Sequence, residues 1–360
     1  FGSSGIRALR SSSPPVPARL ELLRPPAAIM LSWPANCALG SMYWLDSPPP
    51  GFRADPPAGQ NACYEPVEQV FTVYPWTAPL YTDFEMSSRR TSTAVTVAWL
   101  LWPWVPLVIV SVYMLACWAG SKLMSGRDPF KVRKPWRYWN LSLSLFSLCG
   151  ALRTVPHMAM MLSRRGFHEA TCSSPELGWG TGVCGWWVML FVASKVPELG
   201  DTAFIVAGKR KLLFLHWYHH VTVLLFCWHA FASRASTGLW FTVMNYTVHA
   251  IMYFYYFAMS FQSKPLRAFL DRVAPLLTTM QLTQMIIGCS VLTYVYRMKS
   301  AGEPCHTDDT NMWYGIGMYT SYAVLFGLFF VERYCPALLG RAAGAKKGTE
   351  ATNAEAKKIK

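Results

Sequence analysis

Charge is scarce in this chain. Only 14% of its 360 residues are Asp, Glu, Lys or Arg, and just 19 are acidic. Soluble domains carry roughly a quarter. With 16 Trp, 17 Tyr, 20 Phe and a mean hydropathy of +0.21, that shortage excludes an ordinary soluble domain of this length. No tandem repeat of short period recurs. Histidine is also sparse, at eight residues in all: His157, His168, His216, His219, His220, His229, His249 and His306. The formal net charge of +14 does not point to nucleic acid, because the basic residues fall in short clusters between apolar runs rather than on one domain face.

Long apolar runs, by contrast, are abundant. Seven are near the roughly 20 residues that a membrane crossing takes, at 93–118, 139–162, 183–206, 214–233, 238–259, 273–296 and 312–333. An all-α integral membrane fold follows, since backbone in hydrocarbon must satisfy its own hydrogen bonds. Alternate loops differ in charge. Lys122, Arg127, Lys131, Arg133, Lys134 and Arg137 lie on one side with Lys209, Arg210, Lys211, Lys264, Arg267, Arg272 and seven basic residues of the tail, 19 of the 33. The opposite loops hold only Arg164, Arg165, Arg234, Arg297 and Lys299. The positive-inside rule then puts the C-terminus in the cytosol and the N-terminus across the membrane.

The ends read differently from the middle. Residues 1–62, with "SSSPPVPARL" and "DSPPPGFRADPPAG", have the composition of a disordered extension. Its short "AAIMLSW" run is bounded by prolines and does not read as a secretory signal. Residues 63–340 form the expected seven-helix domain, and 341–360 a polar cytosolic tail. Of ten Cys, Cys172 and Cys305 fall in the two longer non-cytosolic loops, where a bridge is permitted and two free thiols are the alternative. The sequons at Asn140 and Asn245 sit at or within spans, out of reach of glycosylation.

Polar residues inside spans are costly and mark function. In "FLHWYHH", His216, His219 and His220 share one helical face. They could ligate a metal or act directly as nucleophile and acid/base; a satisfied core histidine explains His229 but not three on one face. A membrane di-iron centre needs many His from several boxes, and this chain has one cluster. No metal is therefore expected. In "KVPELGDT", Lys195 and Glu198 can neutralise each other, while Asp201 can orient a His or bind a cation; a purely structural salt bridge is the alternative. In "NYTVHAIMYFYY", Asn245 and His249 are four apart, and Tyr253 and Tyr256 continue the line. An interfacial aromatic belt would account for Tyr255 and Tyr256 but not for Asn245 and His249. In "TTMQLTQM", Thr278 reads as a helix-to-helix link, and Gln281 and Gln284 as polar residues lining a cavity.

In this order and spacing, these four motifs resemble the ELO family, the very-long-chain fatty acid elongases or 3-ketoacyl-CoA synthases of the endoplasmic reticulum. The resemblance covers roughly 93–335, with no counterpart for the first 62 residues. "GALRT" at 150–154 and Trp217 make the chain most similar to the animal-type branch acting on saturated and monounsaturated acyl chains; the polyunsaturated branch usually has Gln in place of Lys211. The resemblance implies seven transmembrane helices, six in a ring around a tunnel that holds the acyl chain, with CoA entering from the cytosol. It implies a lumenal disulfide between Cys172 and Cys305, and retrieval to the endoplasmic reticulum through "KKIK" at 357–360. The partners it implies are the bilayer, a ketoacyl reductase, a dehydratase, an enoyl reductase and a second copy in a homodimer.

Such an enzyme condenses acyl-CoA with malonyl-CoA, without a bound cofactor. Soluble condensing enzymes use a Cys nucleophile, but here no Cys is bracketed by the polar residues, although Cys227 lies two turns past His220 on a similar face. Imidazole can itself attack a thioester, and a dry site favours its uncharged form. The expected roles are His219 as nucleophile, His249 and Asn245 holding the malonyl thioester oxygen, and His216 and His220 orienting or moving protons. Lys195 or the rim at Lys209, Arg210 and Lys211 would attract CoA phosphates. A membrane desaturase or hydroxylase with a metal-bound histidine box is the alternative enzyme. A heptahelical receptor or transporter is the alternative without catalysis, but it has no need of three adjacent His.

Overall fold

The computed structural model describes residues 68–87, 104–180 and 182–335. The predicted extension 1–62, the tail 341–360 and the start of the first predicted span at 93–103 lie outside the described residues. The described part is helical, with no strand among its residues. Short helices at Val70–Val73 and Asp83–Ser87 precede eight longer elements. These are α1 (Trp104–Ser125), α2 (Arg133–Cys172), α3 (Gly182–Ser194), α4 (Gly200–Ala207), α5 (Phe214–Ala232), α6 (Gly238–Met259), α7 (Lys264–Ser300) and α8 (Asp309–Tyr334).

Four of them, α1, α2, α7 and α8, are long and apolar enough to cross a membrane. The other predicted spans depart from that form for two reasons. The span at 183–206 is not one helix, because Pro197 lacks the N–H that would continue the ladder from α3. The chain instead tightens into a 3₁₀ turn at Pro197–Leu199 before α4 begins. Helices α5 and α6, of 19 and 22 residues, are long enough but carry His216, His219, His220, His229, Asn245 and His249, which dilute their apolar character. Helix α2 is longer than its predicted span; Gly166, at φ 81°, kinks it before Cys172.

The largest helix pairing is α2 against α6, followed by α7 against α8. Gly150 of "GALRT" lies directly beneath the Tyr246 ring, where a Cβ would have no room. Tyr246 is 1% exposed and its hydroxyl donates to the Trp187 carbonyl at 2.9 Å. One end of the bundle is cross-tied. Cys172 and Cys305 form a disulfide with an S–S distance of 2.04 Å. His306 N–H donates to the Cys172 carbonyl, Ser236 N–H to the His306 carbonyl, and Trp179 Nε1 to the Ser236 carbonyl. The α2 terminus, the α5–α6 connection and the α7–α8 connection thus form one knot.

The segment at 68–87 is latched to the bundle by charge. Arg153 of α2 donates Nε to Glu85 Oε1 at 2.8 Å and Nη2 to Oε2 at 3.0 Å, and Trp187 Nε1 donates to Oε1 at 2.9 Å. Burial alone would raise the Glu85 pKa, but the bonds from Arg153, the Thr82 backbone and Trp187 outweigh it and hold it at about 2, against an ordinary 4.5. A carboxylate with a depressed pKa stabilises the fold above its unfolded value, and loses that contribution as pH falls through the folded one. Hydrogen-exchange protection of 68–87 is therefore expected to be level from neutral pH down to about 4.5 and to fall progressively toward about 2. In Glu85→Gln this acid-dependent loss disappears and protection is lower throughout.

Candidate active site

The break between α3 and α4 brings a charged pair into the interior. Lys195 and Glu198 are 2% and 4% exposed, and Lys195 Nζ donates to Glu198 Oε1 at 2.7 Å and to Oε2 at 3.0 Å. Buried ions need further partners to offset their lost hydration, and both have them. Ser194 Oγ donates to Glu198 Oε1 at 2.8 Å, Lys195 Nζ donates to Asn245 Oδ1 at 3.2 Å, and the ammonium lies 4.2 Å from the Phe191 ring centroid. With its oxygen taken by Lys195, Asn245 turns its Nδ2 toward His249 Nε2, 3.1 Å away and one helical turn on. A continuous line therefore runs from Glu198 through Lys195 and Asn245 to His249.

Asp201 makes a second line. It accepts from Trp139 Nε1 at 2.6 Å and from Tyr253 OH at 2.8 Å, and the Tyr253 ring stands edge-on to His249 at 5.3 Å. It therefore reaches His249 through Tyr253 rather than by direct contact. The three histidines of α5 do lie together: the ring centroids of His216 and His220 are 4.6 Å apart, and those of His219 and His220 are 5.4 Å apart. His216 Nε2 pairs with Thr202 Oγ1 at 2.9 Å, and His220 Nδ1 is buried without a hydrogen-bond partner.

His219 faces a cavity of about 30 Å³ shared with Asn245, Cys227 and Gln284. The rest of its wall is apolar and aromatic, including Phe191, Phe226, Phe241, Tyr319 and Tyr322. The neighbouring Gln281 donates instead to Met252 Sδ at 3.2 Å. Tyr256 packs its ring 5.7 Å from that of Tyr255. The basic rim is elsewhere: Lys209 Nζ donates to the Ser125 and Arg127 carbonyls, the Arg210 guanidinium lies 5.1 Å from the Trp136 ring, and Lys211 is exposed. Neither the rim nor His216, His220 and His249 lines the cavity.

Comparison with known proteins matches residues 98–339 to the model of the ELO: GNS1/SUR4 family. The chain belongs to the ELO family. The matched region contains every helix from α1 to α8. Among its relatives, "Very long chain fatty acid elongase 6" of Drosophila melanogaster is 41% identical over 240 residues, 66% of this chain and 74% of the relative. "Very long chain fatty acid elongase 4" of Trypanosoma cruzi is 42% identical over 229 residues, 63% and 77% of the two chains. "Very long chain fatty acid elongase 6" of Gallus gallus is 40% identical over 253 residues, 70% and 91%.

Several residues of this ELO site were not singled out from the sequence. Thr202, Trp139 and Tyr113 hold the motif residues from other helices, and none repeats at a spacing that marks it. Thr202 is the last residue of "KVPELGDT", but nothing in that motif marks it apart from its charged neighbours. The charged pair supplies a test. Lys195→Met leaves Glu198 buried and uncompensated, which costs about 3–5 kcal/mol. The melting temperature in detergent is expected to drop sharply in that variant and to recover largely in Lys195→Met/Glu198→Leu, with activity restored in neither.

Proposed function

We infer that the chain is a fatty acid elongase, a very-long-chain 3-oxoacyl-CoA synthase that joins acyl-CoA to malonyl-CoA and yields 3-oxoacyl-CoA, CO₂ and CoA. The observation that carries the chemistry is the cavity in which His219, Asn245 and Cys227 meet beside the buried Lys195–Glu198 pair. ELO membership and elongase relatives over two thirds of the chain support this reading over a desaturase.

In the first half-reaction, His219 attacks the acyl thioester. The new bond is C–N, the C–S bond breaks, and CoA leaves as a thiolate that takes up the imidazole proton. In the second, malonyl-CoA loses CO₂, and the electron pair of the broken C–C bond forms an enolate whose oxygen is held by the Asn245 amide, with His249 bracing that amide from behind. The enolate carbon attacks the acyl carbonyl, C–C forms, C–N breaks, and the departing imidazole takes up one proton from water, so that His219 is regenerated in its neutral form. Asn245 suits this role because Lys195 fixes its orientation from behind. His216 and His220, against His219 on the same helix, orient it or move its proton. Lys195, Glu198, Asp201, Tyr253, Tyr256, Gln281 and Gln284 position substrate. Lys209, Arg210 and Lys211 form the basic mouth that attracts CoA phosphates.

The wider reading places α3 with α4, and α5 and α6, as further crossings beside the four long apolar helices, with six of seven segments in a ring around the acyl tunnel. The basic clusters would face the cytosol of an endoplasmic reticulum membrane, and the disulfide end the lumen. The product then passes to a reductase, a dehydratase and an enoyl reductase, with homodimerisation as in similar proteins. The "GALRT" motif and Lys211 favour saturated or monounsaturated acyl chains.

Two measurements test the core of this. Microsomes carrying the protein should incorporate labelled malonyl-CoA into longer acyl chains, and His219→Ala should reduce that by at least about a hundredfold. Purified protein given acyl-CoA alone should carry the acyl group on His219 by peptide mass mapping; an adduct on Cys227, or none, removes His219 as nucleophile.

A further inference from the structure

Helix α1 turns an apolar surface outward, with Leu107, Val108, Val112 and Leu115 all exposed. One polar side chain points the other way. Tyr113 is 6% exposed, and its hydroxyl lies 2.7 Å from Thr202 Oγ1. Thr202 is itself 3% exposed, and the same oxygen lies 2.9 Å from His216 Nε2. The Tyr113 ring is also 6.4 Å from that of His220. Two hydroxyls from two helices thus lead to one nitrogen of the histidine cluster on a third.

We propose that Tyr113 is a positioning residue of the elongase site, acting through Thr202 to hold His216 and to let it change its proton state. The inference rests on the condensing function proposed above. A threonine hydroxyl has one proton to give and can accept as well. When His216 Nε2 is unprotonated, Thr202 donates to it and accepts from Tyr113. When Nε2 carries a proton, His216 donates to Thr202, and the Thr202 proton turns to the Tyr113 oxygen. A phenol hydroxyl serves as donor in the first arrangement and acceptor in the second, so the buried Thr202 hydroxyl is paired in both. Phenylalanine at this position keeps the ring but strands the Thr202 proton in the second arrangement. The hydroxyl of Tyr113 therefore matters to a step in which His216 Nε2 takes up or releases a proton, and not to substrate binding.

The test compares wild type, Tyr113→Phe, Thr202→Val, Thr202→Ser and Tyr113→Phe/Thr202→Val for condensation of labelled malonyl-CoA by purified enzyme. Expected are a fall in kcat of about tenfold for Tyr113→Phe with KM for both CoA substrates unchanged, and near-wild-type kcat for Thr202→Ser. The double variant should be no slower than Thr202→Val alone, because both substitutions cut one relay. A Tyr113→Phe enzyme with wild-type kcat, a loss appearing in KM, or multiplicative losses in the double variant would each overturn the relay while leaving the elongase reading intact. A wild-type enzyme that incorporates no malonyl carbon would instead overturn the function on which the relay rests.

Discussion

An ammonium and a carboxylate 2.7 Å apart in a break between two helices fix Asn245 on the polar side of the cavity. The break and the pair depend on each other. Pro197 interrupts the helical ladder, and irregular backbone within a membrane bundle is tolerated only where protein covers it. Lys195 and Glu198 flank that proline and lie inward, each taking extra partners that offset its lost hydration. Such a pair contributes little net stability. It contributes direction: a lysine held by Glu198 has a spare donor for Asn245, and an asparagine held by Lys195 presents only its NH₂ group to the imidazole of His249.

Much of this was legible in the residues, and the reason is periodicity. Contacts at i, i+3 and i, i+4 belong to one helix, so Asn245 with His249 and the grouping of His216, His219 and His220 could be read from spacing alone; Lys195 and Glu198, three apart, meet instead across the 3₁₀ turn. The apolar runs located the helices for the same reason. What spacing does not carry is the partner on a different helix. Asp201 was expected to hold a histidine or a cation; it accepts instead from Trp139 and Tyr253, whose places in sequence give no hint of one another. Tyr113 sits in an apolar run where no spacing singles it out. The split of the third span was hidden too, since hydropathy does not register a missing N–H.

The two ends of the bundle are held by different means. At one, a disulfide 133 residues apart in sequence and a chain of backbone hydrogen bonds fasten three connections together. At the other, Lys209 donates to the carbonyls that follow α1, a weaker and more exposed tie. Arg137 reinforces it by donating to Ser260 at 2.8 Å. A covalent knot at one end and solvent-accessible bonds at the other leave the second end the easier to open. That is the end where the basic residues cluster.

The two walls of the cavity differ in how far they can give. About 30 Å³ holds roughly two water molecules, far short of an acyl chain. Its polar side cannot yield, because Asn245 is fixed by Lys195 and the α5 backbone at His219 accepts from Tyr322 at 3.2 Å. Its other side is Phe226, Phe241, Met285, Met318 and Tyr319, joined by packing alone and containing two methionines, the most adaptable of core side chains. Any enlargement of this cavity therefore falls on the apolar wall and leaves His219 and Asn245 in their mutual geometry.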